Sequence, residues 1–427
     1  MAQGNYFGLC GLGNVGSGLI RLLRQNGDLL EERWGIRPQV KRILVRDPHK
    51  PRPVQVAPEL LTTDPWDIVG DPEIGVVVEL IGGRERAREI VLESLKRGKS
   101  VVTANKELLA YHGREVLDAA AAYGADLFFE ASVAGGTPII RPLKYCLAAN
   151  RITAIRGILN GTTNYILTRM SQDGCDYATA LAEAQERGYA EADPTDDVEG
   201  HDAVRKLAIL AALAFGAPVD PDRVFMEGIA SIRQADIAFA RELGYVIKLV
   251  ATGREADGRV EVRVHPTLLP ADHPLAKVDG ALNSVLVEAN FAGRVVFTGR
   301  GAGGDATASA VAADLLEALR NRRQGTRGLG CTCWRDLPVL PMDEVVTAHY
   351  VRFAAEDRPG VLGRLAETFG RHGVNLRAVI QKPAGPRADL VFLSDLAPDG
   401  SVRAALADLA RHPELCRLEN HIRCEEA

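Results

Sequence analysis

The chain has 427 residues, 46% of them hydrophobic and 25% charged, with a formal net charge of −5. These are the proportions of a globular protein that is long enough for two or three cores. The mildly acidic charge argues against nucleic acid or an anionic membrane as the main partner. The longest apolar run, 207–215, is too short to span a bilayer, and neither a signal peptide nor a disulfide framework is evident, so we expect a cytoplasmic protein.

The first predicted elements, over residues 1–130, are apolar strands divided by helical stretches. The predicted strands cover residues 6–11, 40–46, 74–81, 100–103 and 126–129. Continuous runs of Val and Ile that alternate with helices are typical of a parallel sheet covered on both faces. We therefore predict an α/β domain over residues 1–130.

Two further domains follow in the chain. Residues 131–320 combine longer helices with strands at 259–264 and 284–288, which predicts an α+β domain. Residues 348–427 have the order strand, helix, strand, strand, helix, strand, which is the ferredoxin-like βαββαβ arrangement.

Between these two domains, residues 321–347 are rich in Gly, Arg and Pro and predict a linker. The linker contains Cys331 and Cys333, the one close cysteine pair of the sequence. A metal site there would need two further ligands, so the role of the pair stays open.

A glycine motif lies between the first predicted strand and the helix that follows it. Its residues are Gly11, Gly13, Asn14, Val15 and Gly16. The three glycines permit a tight turn, close approach of the backbone to a pyrophosphate, and close packing of helix on strand. The helix N-terminus offers unpaired N–H groups and a partial positive charge to the phosphates. In this position the motif predicts a Rossmann-type dinucleotide-binding domain.

The end of the second predicted strand, ILVRDPHK, bears on which dinucleotide is bound. An acidic residue at this place favours the free 2′-hydroxyl of NAD, whereas an arginine accommodates the 2′-phosphate of NADP. Both residue types occur here, as Asp47 and Arg46. We interpret Arg46 as favouring NADP, and NAD stays open.

A charged segment, EADPTDDVEGHDAVRK, runs directly into the apolar run LAILAALAF. Asp202 and Lys206 are four residues apart, so they share a helix face that continues with Leu210 and Leu213. A surface ion pair worth a few tenths of a kcal/mol is the simpler explanation. A buried ammonium costs several kcal/mol unless it is paired. We therefore interpret Lys206 as a proton shuttle paired with Asp202.

A second lysine, Lys106 in VVTANK, comes just after a predicted strand. In an open parallel sheet, ligands bind outside the carboxyl ends of the strands. An exposed loop lysine is the alternative. Two lysines and several carboxylates near a nicotinamide suit a substrate that carries a carboxylate and an ammonium.

Together these segments resemble the homoserine dehydrogenase family, in its single-function form with a C-terminal ACT domain. The resemblance covers nearly the whole chain and includes GLGNVGSGLIRLL, VVTANKELLA, ILNGTTNYIL, GYAEADPTDDVEGHDAVRKLAIL and DRPGVL. Asn14 stands where the family commonly has Thr. The resemblance implies NAD(P)H-linked interconversion of L-aspartate 4-semialdehyde and L-homoserine, on the route to threonine, isoleucine and methionine.

The resemblance also implies roles for individual residues. Lys206 matches the proton donor and acceptor, Asp202 the carboxylate beside it, and Lys106 a lysine near the nicotinamide and the reacting oxygen. The amino-acid-binding positions are matched by Gly161, Thr162, Tyr189, Glu191 and Asp197. A monovalent cation site for Na⁺ is matched by the backbone carbonyls of Val133, Gly135 and Thr137. Gly303 matches a glycine near the cofactor.

The C-terminal domain resembles ACT modules, which bind amino acids between paired modules near the strand–helix turn. Here that turn includes Asp357, Gly360 and Val361, and Asn375 on the next strand is where a partner module's effector could reach. Threonine is the expected effector, and the alternative is a turn that only caps a helix. The family further implies a homodimer, with a homotetramer possible.

Two other functions stay open on the sequence alone. Another semialdehyde dehydrogenase would need a cysteine thiolate, and neither Cys146 nor Cys175 lies in surroundings that activate a thiol. A non-catalytic sensor of amino acids and nucleotides would leave the charged segment 191–206 unexplained.

Overall fold

The computed structural model describes residues 5–330, 335–384 and 387–425. The predictions for Cys331 and Cys333 therefore lie outside the described residues. The chain forms two compact units, each drawn from separate segments. The first unit comprises the described residues of 1–153, 205–222 and 287–336, and the second those of 154–204, 223–286 and 337–427.

The N-terminal part of the chain forms a parallel sheet. Its strands are β1 (Tyr6–Cys10), β2 (Gln39–Leu44), β3 (Leu61–Thr62), β4 (Val76–Glu79), β5 (Ser100–Thr103) and β6 (Leu127–Phe128). Its helices are α1 (Asn14–Gln25), α2 (Gly27–Trp34), α3 (Trp66–Val69), α4 (Glu85–Lys96) and α5 (Lys106–Ala122). The strand order is β3-β2-β1-β4-β5-β6 with every pair parallel, which confirms the predicted Rossmann-type sheet. Strand β3 was not predicted because only two residues form it.

The middle part of the chain adds longer elements. Its strands are β7 (Ile152–Ile158), β8 (Phe225–Met226), β9 (Tyr245–Ala256), β10 (Arg259–Pro270), β11 (Leu282–Ala289) and β12 (Gly293–Arg300). Its helices are α6 (Gly161–Asp173), α7 (Tyr177–Glu186), α8 (Thr195–Val198), α9 (His201–Phe215), α10 (Gln234–Glu242) and α11 (Gly304–Gln324). The two strands predicted here lie within β10 and β11.

Helix α11 belongs to the first unit and helps to build its core. Leu315 and Leu319 of α11 pack with Leu9, Leu19 and Val78 of the nucleotide-domain sheet and helices. The helix continues to Gln324, four residues into the segment expected as a linker, because the buried Asn321 donates to Asp126 Oδ2 at 2.9 Å.

The C-terminal part is a βαββαβ domain. Its elements are β13 (Val346–Glu356), α12 (Val361–Arg371), β14 (Leu376–Ala384), β15 (Arg387–Ser394), β16 (Ala397–Pro398), α13 (Asp399–Leu409) and β17 (Cys416–Cys424). The short β16 is an addition to the predicted pattern, which is otherwise confirmed. Phe353, Phe369 and Phe392 meet edge to face in the core, with ring centroids 5.4 to 6.4 Å apart.

The second unit contains one sheet that joins the C-terminal domain to the middle part. From β7 onwards, the strand order of this sheet is β7-β9-β10-β17-β13-β15-β14. The join is a short parallel pairing of β10 with β17, at Thr267 with Arg423 and Leu268 with Cys424. Over the ranges that the structure describes, no helix has both the length and the apolarity needed to cross a membrane.

Candidate active site

The glycine loop that follows β1 is shaped by backbone contacts. Gly11 has φ +104°, and a Cβ there would lie 2.7 Å from the carbonyl oxygen of Leu80. A Cβ on Gly16 would lie 2.2 Å from the carbonyl oxygen of Gly11. A Cβ on Gly13 would meet no atom within 4 Å, so open space remains beside the loop where a pyrophosphate can approach. The loop therefore fits a bound dinucleotide.

Two helix N-termini meet at this loop. Helix α1 starts at Asn14, and α11 starts at Gly304 after Gly303, whose φ is +123°. A Cβ on Gly304 would lie 3.0 Å from the carbonyl oxygen of Asn14, so the two helix starts are close together. Val15 packs partly buried against the core of the domain. Both N-termini can offer N–H groups to phosphate oxygens.

The loop after β4 is held at the carboxyl edge of the same sheet. The buried Glu79 accepts the N–H groups of Ile81 at 2.9 Å and Gly82 at 3.2 Å, and the hydroxyl of Thr103 at 2.6 Å. Burial raises the pKa of Glu79, while these donors act in the opposite direction. Asn105 donates to the carbonyl of Gly83 at 2.7 Å. Glu79, Thr103 and Asn105 were not among the predicted site residues.

Arg46 and Asp47 follow the end of β2 and are exposed. The Asp47 carboxylate accepts the N–H of His49 at 2.8 Å, so it stabilises its own loop. Since the Asp47 carboxylate has this partner within the protein, its presence does not by itself indicate binding of the ribose 2′-hydroxyl of NAD.

The two predicted lysines lie near the N-terminal ends of two helices. Lys106 is the first residue of α5, directly after the helix cap Asn105, and it is half-buried. Lys206 lies in α9 and is 8% exposed, and Asp202, one turn earlier, is 4% exposed. These values exclude the alternative of a solvent-exposed surface pair. Helix α9 ends at Phe215, where Gly216 adopts φ +65°.

A cavity of about 520 Å³ lies beside the later turns of these two helices. Its apolar wall includes Leu109 and Leu117 of α5 and Ile209 and Leu213 of α9. Neither predicted lysine lines it. The cavity is thus separate from the polar residues that the sequence singled out.

A cluster of polar side chains lies at the start of α6, and we call Asn160, Asp197 and Asp202 the acid cluster. Asn160 Nδ2 donates to Asp197 Oδ1 at 2.6 Å and to Asp202 Oδ2 at 2.9 Å. Asn160 lies between β7 and α6, whereas Asp197 comes from α8 and Asp202 from α9. The structure therefore brings together two of the predicted substrate-binding carboxylates, on a residue that the prediction omitted.

The other predicted substrate-binding residues lie on the adjoining segments. Gly161 and Thr162 begin α6, and the Thr162 hydroxyl donates to the carbonyl of Tyr189 at 2.7 Å. Tyr189 is 45% exposed, and its ring centroid is 4.9 Å from that of Tyr165. Glu191 is exposed, and its carbonyl accepts Gln185 Nε2 at 3.0 Å.

The predicted cation loop, residues 133–137, is a tight buried turn. Ala134 and Gly135 have φ of +54° and +49°, and a Cβ on Gly135 would lie 2.6 Å from the carbonyl oxygen of Gly301. Thr137 N donates to the Ala134 carbonyl at 2.8 Å. Val133 and Thr137 are buried.

Glu130 anchors this loop, which the sequence analysis did not anticipate. Its carboxylate accepts the N–H groups of Ile139 at 2.6 Å, Ile140 at 2.9 Å and Arg141 at 2.8 Å. Its own N–H donates to Asp314 Oδ2 at 2.8 Å. The sequence offered one signal for this role, a glutamate shortly before the Gly135-Gly136 pair.

The predicted effector turn lies at a cavity of about 380 Å³ in the C-terminal domain. Asp357, Gly360 and Val361 line the cavity, and Gly360 caps α12 with φ +89°. Asn375 is not among its lining residues and lies one residue before β14, rather than on that strand as predicted.

A separate buried cluster joins His349 of β13, His421 of β17 and Asp399 of α13. The ligand atoms of these residues lie within 4.8 Å of one another, a spacing that could hold a metal ion. However, His349 Nδ1 lies 3.0 Å from His421 Nε2, and Asp399 pairs with Arg423 at 2.8 Å and Arg403 at 2.9 Å. The two guanidiniums already balance the carboxylate, so the cluster offers little charge to attract a cation.

The cysteines required by another semialdehyde dehydrogenase are poorly suited to that chemistry. Burial raises the pKa of the Cys175 thiol, with Asp173 and Glu183 contributing in the same direction. Cys146 is exposed at the end of a short helical turn.

The Rossmann-type sheet with its glycine loop, followed by a βαββαβ domain, defines the class of protein: an NAD(P)-dependent oxidoreductase with an ACT domain. Three family models match the chain: homoserine dehydrogenase over residues 138–316, its NAD-binding domain over 11–130, and the ACT domain over 349–413. The chain belongs to the homoserine dehydrogenase family.

Individual relatives agree with this assignment. Homoserine dehydrogenase of Corynebacterium glutamicum is 46% identical, covering 98% of this chain and 95% of its own length. A crystal structure of the Thiobacillus denitrificans enzyme has a TM-score of 0.91 and 42% identity, covering 99% of this chain and 98% of that one. A hyperthermophilic archaeal homoserine dehydrogenase in complex with NADPH has a TM-score of 0.62 and 28% identity, covering 73% and 97%.

Proposed function

We propose that this homoserine dehydrogenase reduces L-aspartate 4-semialdehyde to L-homoserine, reversibly, on the route to threonine, isoleucine and methionine. The observation that carries the residue assignment is the acid cluster, in which one amide binds two carboxylates, and one of these, Asp202, lies at the start of the helix that bears Lys206. The substrate carries an ammonium and a carboxylate, so the half-buried Asp197, the buried Asp202 and a lysine offer charges that complement those of the substrate.

We assign the chemical roles as follows. When bound, the nicotinamide exchanges a hydride with the carbonyl carbon of the substrate. Lys206 donates the proton to the developing alkoxide oxygen and takes it back in the reverse direction. Lys106 stabilises charge at the same oxygen. Asp202 binds the substrate and orients Lys206, and the substrate's amino-acid end is bound by Gly161, Thr162, Tyr189, Glu191 and Asp197.

The test uses the purified full-length chain and the absorbance of reduced nicotinamide. We expect oxidation of the nicotinamide with aspartate semialdehyde and reduction with homoserine, both without added phosphate. Turnover that depends on phosphate would instead indicate the acyl-phosphate chemistry of another semialdehyde dehydrogenase, in which a thiolate is required. Binding of nucleotide and amino acid without turnover would indicate a sensor.

For the cofactor, we propose that NADPH is preferred over NADH. The exposed Arg46 at the end of β2 supports this preference, because a guanidinium can bind a 2′-phosphate with charge-assisted hydrogen bonds. The glycine loop residues Gly11, Gly13, Asn14, Val15 and Gly16, together with Gly303, are proposed to bind the phosphates. The kcat/KM values with each cofactor measure the preference.

We further propose that the carbonyls of Val133, Gly135 and Thr137 bind Na⁺. Hard carbonyl oxygens suit this ion, and the left-handed turn at Ala134 and Gly135 supports a backbone-lined site. We expect the melting temperature of the apoprotein to rise on adding NaCl more than on adding choline chloride at equal ionic strength. Equal shifts would contradict specific binding.

Regulation and assembly are proposed from the C-terminal domain and the long strands of the middle part. We propose a homodimer or homotetramer whose paired ACT domains bind threonine at the turn containing Asp357, Gly360 and Val361, with Asn375 of a partner module completing the site. The cavity at Gly360 supports a ligand of amino-acid size. Light scattering and calorimetric titration with threonine test the two parts separately.

The domain limits and location are also proposals. We assign residues 1–130 to nucleotide binding, 131–320 to catalysis and dimerisation, 321–347 to a linker and 348–427 to regulation. Cys10 and Cys416 are buried thiols without disulfides, which supports a reducing compartment, the cytoplasm.

A further inference from the structure

Asn160 occupies a position where its two polar atoms have different tasks. It lies between β7 and α6, is 4% exposed, and caps α6 from an extended backbone conformation. Its Oδ1 accepts the N–H of Thr163 at 2.8 Å and the Thr163 hydroxyl at 3.0 Å. The helix cap therefore determines which way the amide is turned.

Because Oδ1 faces the helix, Nδ2 must face away from it. An amide NH₂ carries two donor hydrogens. Both are used, one on Asp197 Oδ1 at 2.6 Å and one on Asp202 Oδ2 at 2.9 Å. Two carboxylates from α8 and α9 are thus held on one neutral donor, which offsets part of their mutual repulsion without adding a charge.

We propose that Asn160 is a positioning residue for the reaction: it uses the N-cap of α6 as a fixed support and sets the spacing of Asp197 and Asp202 for the substrate's ammonium. This proposal rests on the substrate-binding role assigned above to the two carboxylates. Asn160 acts through them and need not touch the substrate.

Two substitutions separate positioning from capping. N160S keeps a good helix cap but removes both donors, and N160D keeps the cap and the shape but turns an oxygen towards the two carboxylates. D176N is the matched control, because Asp176 caps α7 by accepting the N–H of Thr179 at 2.8 Å, and the exchange of carboxyl and amide there lies outside the acid cluster.

We expect N160S to raise the KM for homoserine by about 10-fold while the dissociation constant for the nicotinamide cofactor stays within about twofold. N160D should lose about 100-fold in kcat/KM at about pH 9, and less at about pH 6, where the introduced carboxyl is protonated and can donate one hydrogen bond. D176N should match the wild-type kinetics at both pH values.

Melting temperature and cofactor binding establish that each variant is folded. If N160S fails to fold, N160D, which retains the better cap, still carries the test through its pH profile. Wild-type KM and pH profile in both folded variants would overturn the proposal and leave Asn160 as a helix cap. A D202N variant with wild-type KM for homoserine would instead overturn the substrate-binding role on which the proposal rests.

Discussion

The glycine loop and the acid cluster build their contacts in opposite ways. In the loop, the contacts that matter are between backbone atoms: a Cβ on Gly11 would lie 2.7 Å from one carbonyl oxygen and a Cβ on Gly16 would lie 2.2 Å from another. In the acid cluster, side chains from three separate elements meet at the amide of Asn160. The glycine loop depends on residues that have no side chain, because only these let the backbone pack so closely. The acid cluster depends on the donors and acceptors that its side chains carry.

This difference predicts different responses to mutation. In the glycine loop, a side chain added at Gly11 or Gly16 would meet the backbone that the sheet and two helices share, so it should affect folding as well as nucleotide binding. A change in the acid cluster or in α9 leaves the backbone path intact, so it should affect the amino-acid substrate and the chemistry.

The largest effect is expected at Lys206. Lys206→Met removes the proposed proton donor, so kcat should fall by about 10²-fold or more with cofactor binding retained. Lys248→Met is the matched control, because Lys248 is also a buried lysine, at 2% exposed. Its Nζ donates to the Val278 carbonyl at 2.7 Å, which is not part of the acid cluster. The control should lose stability but keep kcat within about twofold. Steady-state kinetics on both variants decide, and a near wild-type kcat for Lys206→Met would refute its role.

The cluster of His349, His421 and Asp399 also joins buried side chains from distant segments, but we expect it to affect the pH dependence of stability rather than to bind a ligand. Burial lowers the pKa of His349 to about 4, although Asp399 acts in the opposite direction. Below about pH 6.5, His349 is protonated in the unfolded chain but stays neutral in the folded protein. The free energy of unfolding should therefore fall by up to about 3 kcal/mol as the pH drops to about 4. Burial also lowers the pKa of His421, which adds to the loss.

His349→Gln should therefore lose less stability than the wild type between about pH 7 and about pH 4.5 in urea unfolding. The exposed His49→Gln is the control and should follow the wild type. If the acid-dependent loss were the same in His349→Gln and the wild type, His349 would not be held neutral by the fold.

Two glycines of the same loop should respond differently to alanine. Gly11→Ala places a side chain at φ +104° and against the Leu80 carbonyl, so the free energy of unfolding should fall by about 2 kcal/mol or more without any nucleotide present. Gly13 has φ −84° and open space around it, so Gly13→Ala should keep its stability and only weaken nucleotide binding. Urea unfolding and cofactor titration of both variants distinguish them, and equal stabilities would contradict the backbone account.

The smallest effect is expected at Arg46, a side chain of the nucleotide region that is proposed to contact the cofactor itself. Arg46→Ala should raise the KM for NADPH by about 10-fold and leave the KM for NADH nearly unchanged, since only the former has a 2′-phosphate. Arg52→Ala is the control in the same loop, because Arg52 donates to the Lys50 carbonyl at 2.7 Å. Parallel changes with both cofactors in Arg46→Ala would show that Arg46 does not contact the phosphate.

The elements that the sequence predicted correctly are those with a local signature. The parallel sheet of the N-terminal part and the βαββαβ domain each follow from apolar runs and the order of elements within a short window. The placement of Asp202 and Lys206 four residues apart in the single helix α9 is local in the same sense. Where the signature was weak, as in the two-residue β3 or the last turn of α11, the prediction failed or ended early.

What only the tertiary structure decided are the partners of buried polar atoms. Asn160 is 37 and 42 residues away from the carboxylates that it holds, and Glu130 lies 184 residues before Asp314, which accepts its N–H. A residue type states how many donors and acceptors a side chain carries, but the path of the whole chain determines which groups come within 3 Å of them. A buried donor or acceptor forms its hydrogen bond with a group that the packing brings next to it. The partners of Asn160 and Glu130 therefore could not be predicted before the packing of the segments was known.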